Sequence, residues 1–355
     1  MIGVYFMNNS MEDDLKIVSP YLHADLVSPQ ALSHLQTLAK ILPSFSYYYA
    51  GFECRLGANS SPAVDLFVFL PQHILNIPAP FLAHPVWQTF QEFQREWVTP
   101  TSFLSKQLKD IGLEFDLDGP PSQIPIPILF FEFNRKMDHN EIFVLIETIF
   151  KQFNRPFSKK LAFNLQRCIH ELPEGARIIQ IGIMFSRPTE AVRIIIEDIQ
   201  PEQILEYFPQ IGWFDPTDRL KTIVPTLSHL VDSIGFLDID VGETIHAKIG
   251  LECFFIKQPQ YEPRWPLFFD YLVEKGLCST AKRDAMIMWP GLFQKDTDPA
   301  LWPTHLNWGD AFLGDKAVSV FFRRISHIKI VYQPDKPLEA KGYLTFGHRW
   351  LERSI

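Results

Sequence analysis

The chain has 355 residues, of which 46% are apolar and 21% charged, with a formal net charge of −8. That length and apolar content provide a sizeable core, as one large domain or two ordinary ones. The acidic balance excludes a broad nucleic-acid-binding face and leaves room only for a local basic pocket. Four scattered cysteines (Cys54, Cys168, Cys253 and Cys278) form no CxxC pair, which argues for reduced thiols and against a disulfide frame or zinc site. The opening MIGVYFMNNSMEDDLKIV has no basic n-region and no long apolar stretch, and eighteen consecutive apolar residues occur nowhere. The expectation is therefore a cytoplasmic protein with no signal peptide and no membrane span.

Helices are predicted at 29–41, 84–97, 100–110, 138–153, 156–170, 201–208, 216–233, 264–275 and 280–288. Several carry good caps, among them Asp138 before HNEIFVLIETIF and Ser279 before TAKRDAMIM. Between them lie five pairs of strand-like runs joined by turn-rich links: GFECRLGANSSPAVDLFVFL (51–70), GLEFDLDGPPSQIPIPILFFEF (112–133), GIMFSRPTEAVRIIIED (182–198), GFLDIDVGETIHAKIGLECFF (235–255) and IKIVYQPDKPLEAKGYLTF (328–346). The second strands open on a small-residue phrase, PAVD, IPIPI, EAVR, IHAK or LEAK, and all first strands but the last start on Gly. Five such pairs separated by helical sequence read as internal repetition, with repeats near 29–100, 100–155, 156–215, 216–290 and 291–355 of one domain spanning 1–355. The links suit antiparallel hairpins. Ten such strands resolve their edges most simply by closing into a barrel with helices outside, wide enough for a chamber. The predicted class is α+β, a closed ten-stranded antiparallel barrel.

Residues two apart on a strand share a face. One face is apolar (Phe52, Cys54, Leu113, Phe115, Ile249, Leu251, Cys253, Ile328, Ile330) and suits a cover of helices. The other gathers Glu53 with Arg55, Glu114 with Asp116 and Asp118, and His246 with Lys248 and Glu252. It also gathers His327 with Lys329, and Lys341 with Tyr343 and Thr345. Charges on an inward face persist only if paired with each other, water or a ligand. Arg193, Lys248 and Lys341 occupy equivalent places in the third, fourth and fifth pairs, a collar suited to a multiply charged anion such as a diphosphate. Tyr343 and Lys329 add donors.

Five αββα units with strand pairs of the type G-x-E … K-x-Y resemble the ABBA-type aromatic prenyltransferases, the barrel of the dimethylallyl-tryptophan synthase group. The resemblance covers 29–346 in architecture and is specific in motif around 51–67, 190–197, 246–252 and 339–345. It implies transfer of an allyl group, from dimethylallyl or a longer allyl diphosphate, to an indole, phenol or peptide aromatic side chain. No magnesium is implied, and DDLK at 13–16 is not a paired metal-binding motif. Lysines and arginines hold the diphosphate and strand tyrosines shield the allyl cation. The resemblance places Glu53 where a glutamate accepts the indole N–H and assists proton removal, with Glu114 second; each reads equally as a partner in an inward ion pair. The candidate binding set is Arg55, Arg193, Lys248, Glu252, Lys329, Lys341 and Tyr343, with no metal ligand.

Three positions depart from the pattern: Asp65 and Ile128 stand where cations are expected, and Gly250 where a tyrosine is usual. A lumen this acidic repels a diphosphate unless its carboxylates lie elsewhere. Two alternatives follow: a different enzyme of natural-product or peptide-modification biosynthesis on the same barrel, or a non-catalytic peptide-binding barrel. The insertion at 294–320 reads either as a lid or acceptor-recognition loop, or as a surface loop anchored by Trp302 and Trp308. The expected partners are an aromatic small molecule or peptide, with no nucleic acid and no membrane, for a monomer or homodimer.

Overall fold

A computed structural model describes residues 10–44, 46–58, 63–134 and 137–352, without the side chains at 305 and 315. The readings on residues 1–9 and on part of the first hairpin link, 59–62, lie outside the described residues. Eleven strands are present: β1 (Tyr49–Arg55), β2 (Val64–Leu70), β3 (Leu108–Phe115), β4 (Ile128–Phe133), β5 (Arg177–Met184), β6 (Val192–Glu197), β7 (Ser233–Val241), β8 (Ile245–Phe254), β9 (Gly291–Phe293), β10 (Ala317–Tyr332) and β11 (Glu339–Glu352). Ten of them pair antiparallel in one ring, β1 through β8, then β10, then β11, which returns to β1. The short β9 adds to the outer part of β10. Closure leaves no long unpaired edge around the ring.

The helices are α1 (Met11–Val18), α2 (Pro29–Ile41), α3 (Pro85–Trp97), α4 (Phe103–Gln107), α5 (His139–Gln152), α6 (Lys159–His170), α7 (Pro201–Ile211), α8 (Leu220–Leu230), α9 (Arg264–Glu274), α10 (Thr280–Met288) and α11 (Thr304–Leu313). Asp138 and Glu141 close a capping box at the start of α5, and the Ser279 hydroxyl accepts from the Lys282 amide at the start of α10. Four fully buried tryptophans tie the helical layer to the rest of the chain through their indole N–H groups. Trp87 donates to the Pro125 carbonyl, Trp97 to Leu108, Trp265 to Lys257 and Trp289 to Arg324, at 2.8–3.2 Å. Buried indoles that find such acceptors add area without leaving a donor unmade. The apolar strand face, Phe52, Cys54, Leu113, Phe115, Ile249 and Leu251 among it, belongs to one continuous core with these helices.

Two departures from the expected elements are structural. The segment at 100–110 is helical only over α4, and Leu108 already begins β3. The last hairpin runs well past its expected limits of 328–346 at both ends. The 294–320 insertion therefore contains α11 and the start of β10. Its Trp302 is buried and donates to Asp310, whereas Trp308 is exposed. No helix among the described residues is long and apolar enough to cross a membrane.

Candidate functional site

Alternation along the ten strands delivers the charged face to the barrel interior. At the mouth formed by the hairpin turns, Arg193, Lys248 and Lys341 line one small pocket of ≈ 30 Å³, room for a water or two. Arg193, at the start of β6, faces Asp240 of β7 directly across the ladder and binds it through Nε and Nη2 at 2.7 and 3.0 Å. Lys341 donates to Glu53 at 2.5 Å, and the Tyr343 hydroxyl donates to the other oxygen of the same carboxylate. Lys329 is paired with Asp238 and lies 3.3 Å from Glu252. Arg187, in the β5–β6 turn, joins Asp116 at 2.5 Å and Glu114 at 3.2 Å. Arg55 reaches Asp65 at 3.4 Å and Asp118 at 3.3 Å. Lys248 alone of these cations has no ion pair among the described residues. Burial, then Lys341 and Arg193, lower its pKa, so the three collar cations feel one another.

Below the collar lies a cavity of ≈ 250 Å³ walled by Tyr49, Phe67, Phe69, Phe130, Phe236, Phe254 and Tyr343. Glu114, Arg193, Asp238 and Lys329 border both spaces, so the collar opens onto the aromatic chamber. Gly182 lies opposite Phe130 in the ladder, and a side chain there would meet that ring at 2.7 Å. The missing Cβ gives Phe130 its place. His327 stacks on Tyr343 with ring centres 4.1 Å apart. Burial pushes its pKa down to about 3, so the ring is neutral.

The carboxylates fall into two states. Burial opposes the charge on Glu53, but Lys341 and Lys329, with hydrogen bonds from Lys341 and Tyr343, outweigh it and hold the group ionised below the usual carboxylate range. Glu252 is pushed up to about 8, by burial first; Arg193 opposes the rise, and Glu53 and Glu114 add to it. Asp65 rises to about 7, chiefly by burial. Because the folded barrel keeps a proton on Glu252 that the unfolded chain releases near 4.5, this stability is complete below 4.5 and is lost as pH rises through about 8. Thermal melts should fall by about a degree or two between about pH 7 and about pH 8, the last part of this loss, and level off above, and Glu252→Gln should flatten that decline. Asp65 titrates about a unit lower, so it does not mask the comparison; equal slopes in both proteins would contradict the assignment.

No protein-family profile matches the chain, and no curated protein sequence does. Solved structures do. The apo form of prenyltransferase PriB superposes with a TM-score of 0.50 at 10% identity, covering 97% of this chain and 98% of that one. PriB in its binary complex with product diphosphate gives 0.51 at 9% identity over 94% of each chain. The 5-dimethylallyl tryptophan synthase of Streptomyces coelicolor, solved with DMASPP and Trp, gives 0.46 at 10% identity over 95% of each. The fold is the ABBA prenyltransferase barrel.

On this ABBA barrel all nine candidate residues, Glu53, Arg55, Glu114, Arg193, Lys248, Glu252, Lys329, Lys341 and Tyr343, come from the ring strands. All but Arg55 border one of the two connected spaces. The three departures acquire physical reasons. Asp65 accepts the Leu117 amide at 2.9 Å and sits beside Arg55. Ile128 forms an apolar cluster with Phe130, Met184 and Ile195. Gly250 leaves room for the Lys329 stem, which a side chain there would strike. Sequence reasoning missed Arg187, Asp238 and Asp240. The D-x-D spacing of GFLDIDVG signals a shared face, but only the pairing of β6 with β7 sets Asp240 against Arg193.

Proposed function

We propose that this barrel is an aromatic prenyltransferase, moving an allyl group from an allylic diphosphate to an indole, phenol or peptide aromatic side chain. The observation that carries the reading is the convergence of Arg193, Lys248 and Lys341 from successive hairpins on a pocket that opens into an aromatic-walled chamber. A diphosphate at the collar competes with Asp240 and Glu53 for Arg193 and Lys341, and meets Lys248 unopposed. The protonation of Glu252 and Asp65 near neutral pH lowers the negative charge it must face. Heterolysis leaves the electron pair on the departing diphosphate and a cation on the allyl fragment. Phe67, Phe130 and Tyr343 offer π faces to that cation while excluding water. Attack by the aromatic ring forms the carbon–carbon bond, and loss of one proton restores aromaticity. Glu53 is a weak base with its depressed pKa, yet an arenium ion is acidic enough to give up its proton to such a group. In this site its main part is to orient an acceptor N–H or O–H.

A second reading has its own support. Four of the five cations around the collar, Arg187, Arg193, Lys329 and Lys341, already have carboxylate partners, which favours a barrel of the same fold whose ligand is a peptide or a cation. Incubation with dimethylallyl and geranyl diphosphates and a panel of indoles, phenols and aromatic peptides separates the two. Diphosphate release with an acceptor gain in mass is expected. No release across the panel, together with no binding of a thio-diphosphate analogue, would leave the second reading standing.

A further inference from the structure

Near the mouth opposite the hairpin turns, the carboxylates Asp110 and Glu132 are held by Lys109 at 3.4 and 2.5 Å. Two arginines at that mouth lack such partners. Arg324 of β10 and Arg349 of β11 make no ion pair among the described residues, and their guanidinium carbons lie 5.5 and 5.0 Å from the centre of one ring, Phe322. Arg324 donates from Nε to the Thr345 hydroxyl at 3.2 Å, which leaves its terminal nitrogens available. Burial and Arg349 together push the Arg324 pKa below its ordinary value. Two like charges are thus held on a shared aromatic platform, with no carboxylate in ion-pair contact among the described residues.

Their position relates them to the chamber. Lys341, Tyr343, Thr345, Gly347 and Arg349 alternate onto one face of β11. Tyr343 lines the cavity, so the same face runs from the collar through the chamber and out over the far mouth. Phe322 lies across the ladder from Gly347, where a side chain would meet its ring at 3.1 Å. Arg349 stands eight residues along the strand from Lys341, roughly 27 Å at ~3.4 Å per residue. Cations therefore mark both ends of the lumen, most of them ion-paired at the collar and two without an ion pair among the described residues at the far mouth.

We infer that Arg324 and Arg349 bind a carboxylate carried by the aromatic acceptor, which enters by the mouth opposite that of the donor. Planar guanidinium groups match a carboxylate in geometry. A monoanion also suits two cations, one of them solvent-exposed, better than a diphosphate does. The inference rests on the acceptor half of the transferase reading, and its test measures binding without any donor, so the two fail separately.

The experiment is calorimetric titration of the full chain with indole-3-acetate against indole-3-acetamide, and with a peptide ending in a free tryptophan carboxylate against its amide. The acid form should bind about tenfold or more tightly in at least one pair, and the pair that responds identifies a free acid or a peptide terminus as the source. Arg349→Ala, at an exposed position where folding is not at stake, and Arg324→Gln should each reduce that preference severalfold. Inorganic diphosphate affinity should stay unchanged in both. Equal affinities for acid and amide in both pairs, or an undiminished preference in Arg349→Ala, would overturn the inference. So would a fall in diphosphate affinity in place of carboxylate affinity.

Discussion

Lys341→Ala should cost about 3–5 kcal/mol of stability, because it strands the buried Glu53 carboxylate without its counter-ion. Tyr343 and Lys329 remain near Glu53, so the loss belongs at the lower end of that range. The loss has a pH signature: without Lys341 the Glu53 pKa rises, so the deficit shrinks as pH falls and the carboxyl takes up a proton. Adding Glu53→Gln should restore most of the stability, since the neutral amide no longer needs a cation and still accepts from Tyr343. Denaturant melts of the two single variants and the double variant form the cycle that checks this. A Lys341→Ala cost below about 1 kcal/mol, or no recovery in the double variant, would mean that the pair is not a closed ionic contact. Turnover should not recover with stability, because both residues border the collar at which the donor diphosphate is proposed to sit.

Asp240→Asn should raise the affinity for inorganic diphosphate by about tenfold or more. Asp240 is the bidentate partner of Arg193. Removing one negative charge a few ångströms from an incoming anion is worth several kcal/mol at an effective dielectric constant of about 20, before reorganisation is counted. The asparagine oxygen still accepts from the guanidinium, so the geometry is kept while the competition is removed. The same substitution should lower stability by a few kcal/mol, since Arg193 is left charged without a full counter-ion. Calorimetry with diphosphate and a denaturant melt measure both sides. Higher affinity with lower stability indicates a collar that trades internal ion pairs for a ligand; unchanged affinity indicates that Arg193 never meets the anion.

The five hairpins were legible because their strands alternate between an apolar and a charged face and their links are rich in Gly, Pro and Asp. Sequences such as GFECRLG and HAKIGLECF state which side is which. The outer halves of β10 and β11 were not legible for the same physical reason. In VSVFFRRIS the pairs Phe321–Phe322 and Arg323–Arg324 place one aromatic and one cation on each face, so no two-residue polarity survives. Arg323 is buried against Tyr21 and Trp289, with its guanidinium donating to the Trp289 carbonyl, an environment that composition does not announce. α1 is a single short acidic stretch, too brief for a helical period to stand out. In the site, alternation identified the inward residues, but ion-pair partners are set by register between strands. Asp240 meets Arg193 across β6 and β7, and Lys329 reaches over Gly250 of the intervening β8 to Asp238. The carboxylates that neutralise the collar were therefore visible as residues and invisible as partners.

The fold likeness to PriB carries the architecture, and the pocket geometry carries the proposed chemistry. Crystals soaked with dimethylallyl S-thiolodiphosphate test their union most directly. The account predicts phosphate oxygens in contact with Arg193, Lys248 and Lys341, Asp240 and Glu53 drawn away from their cations, and the allyl tail against Phe67, Phe130 and Tyr343. Phosphates seated on Arg324 and Arg349, or a lumen from which the analogue is absent at saturating concentration, would contradict it.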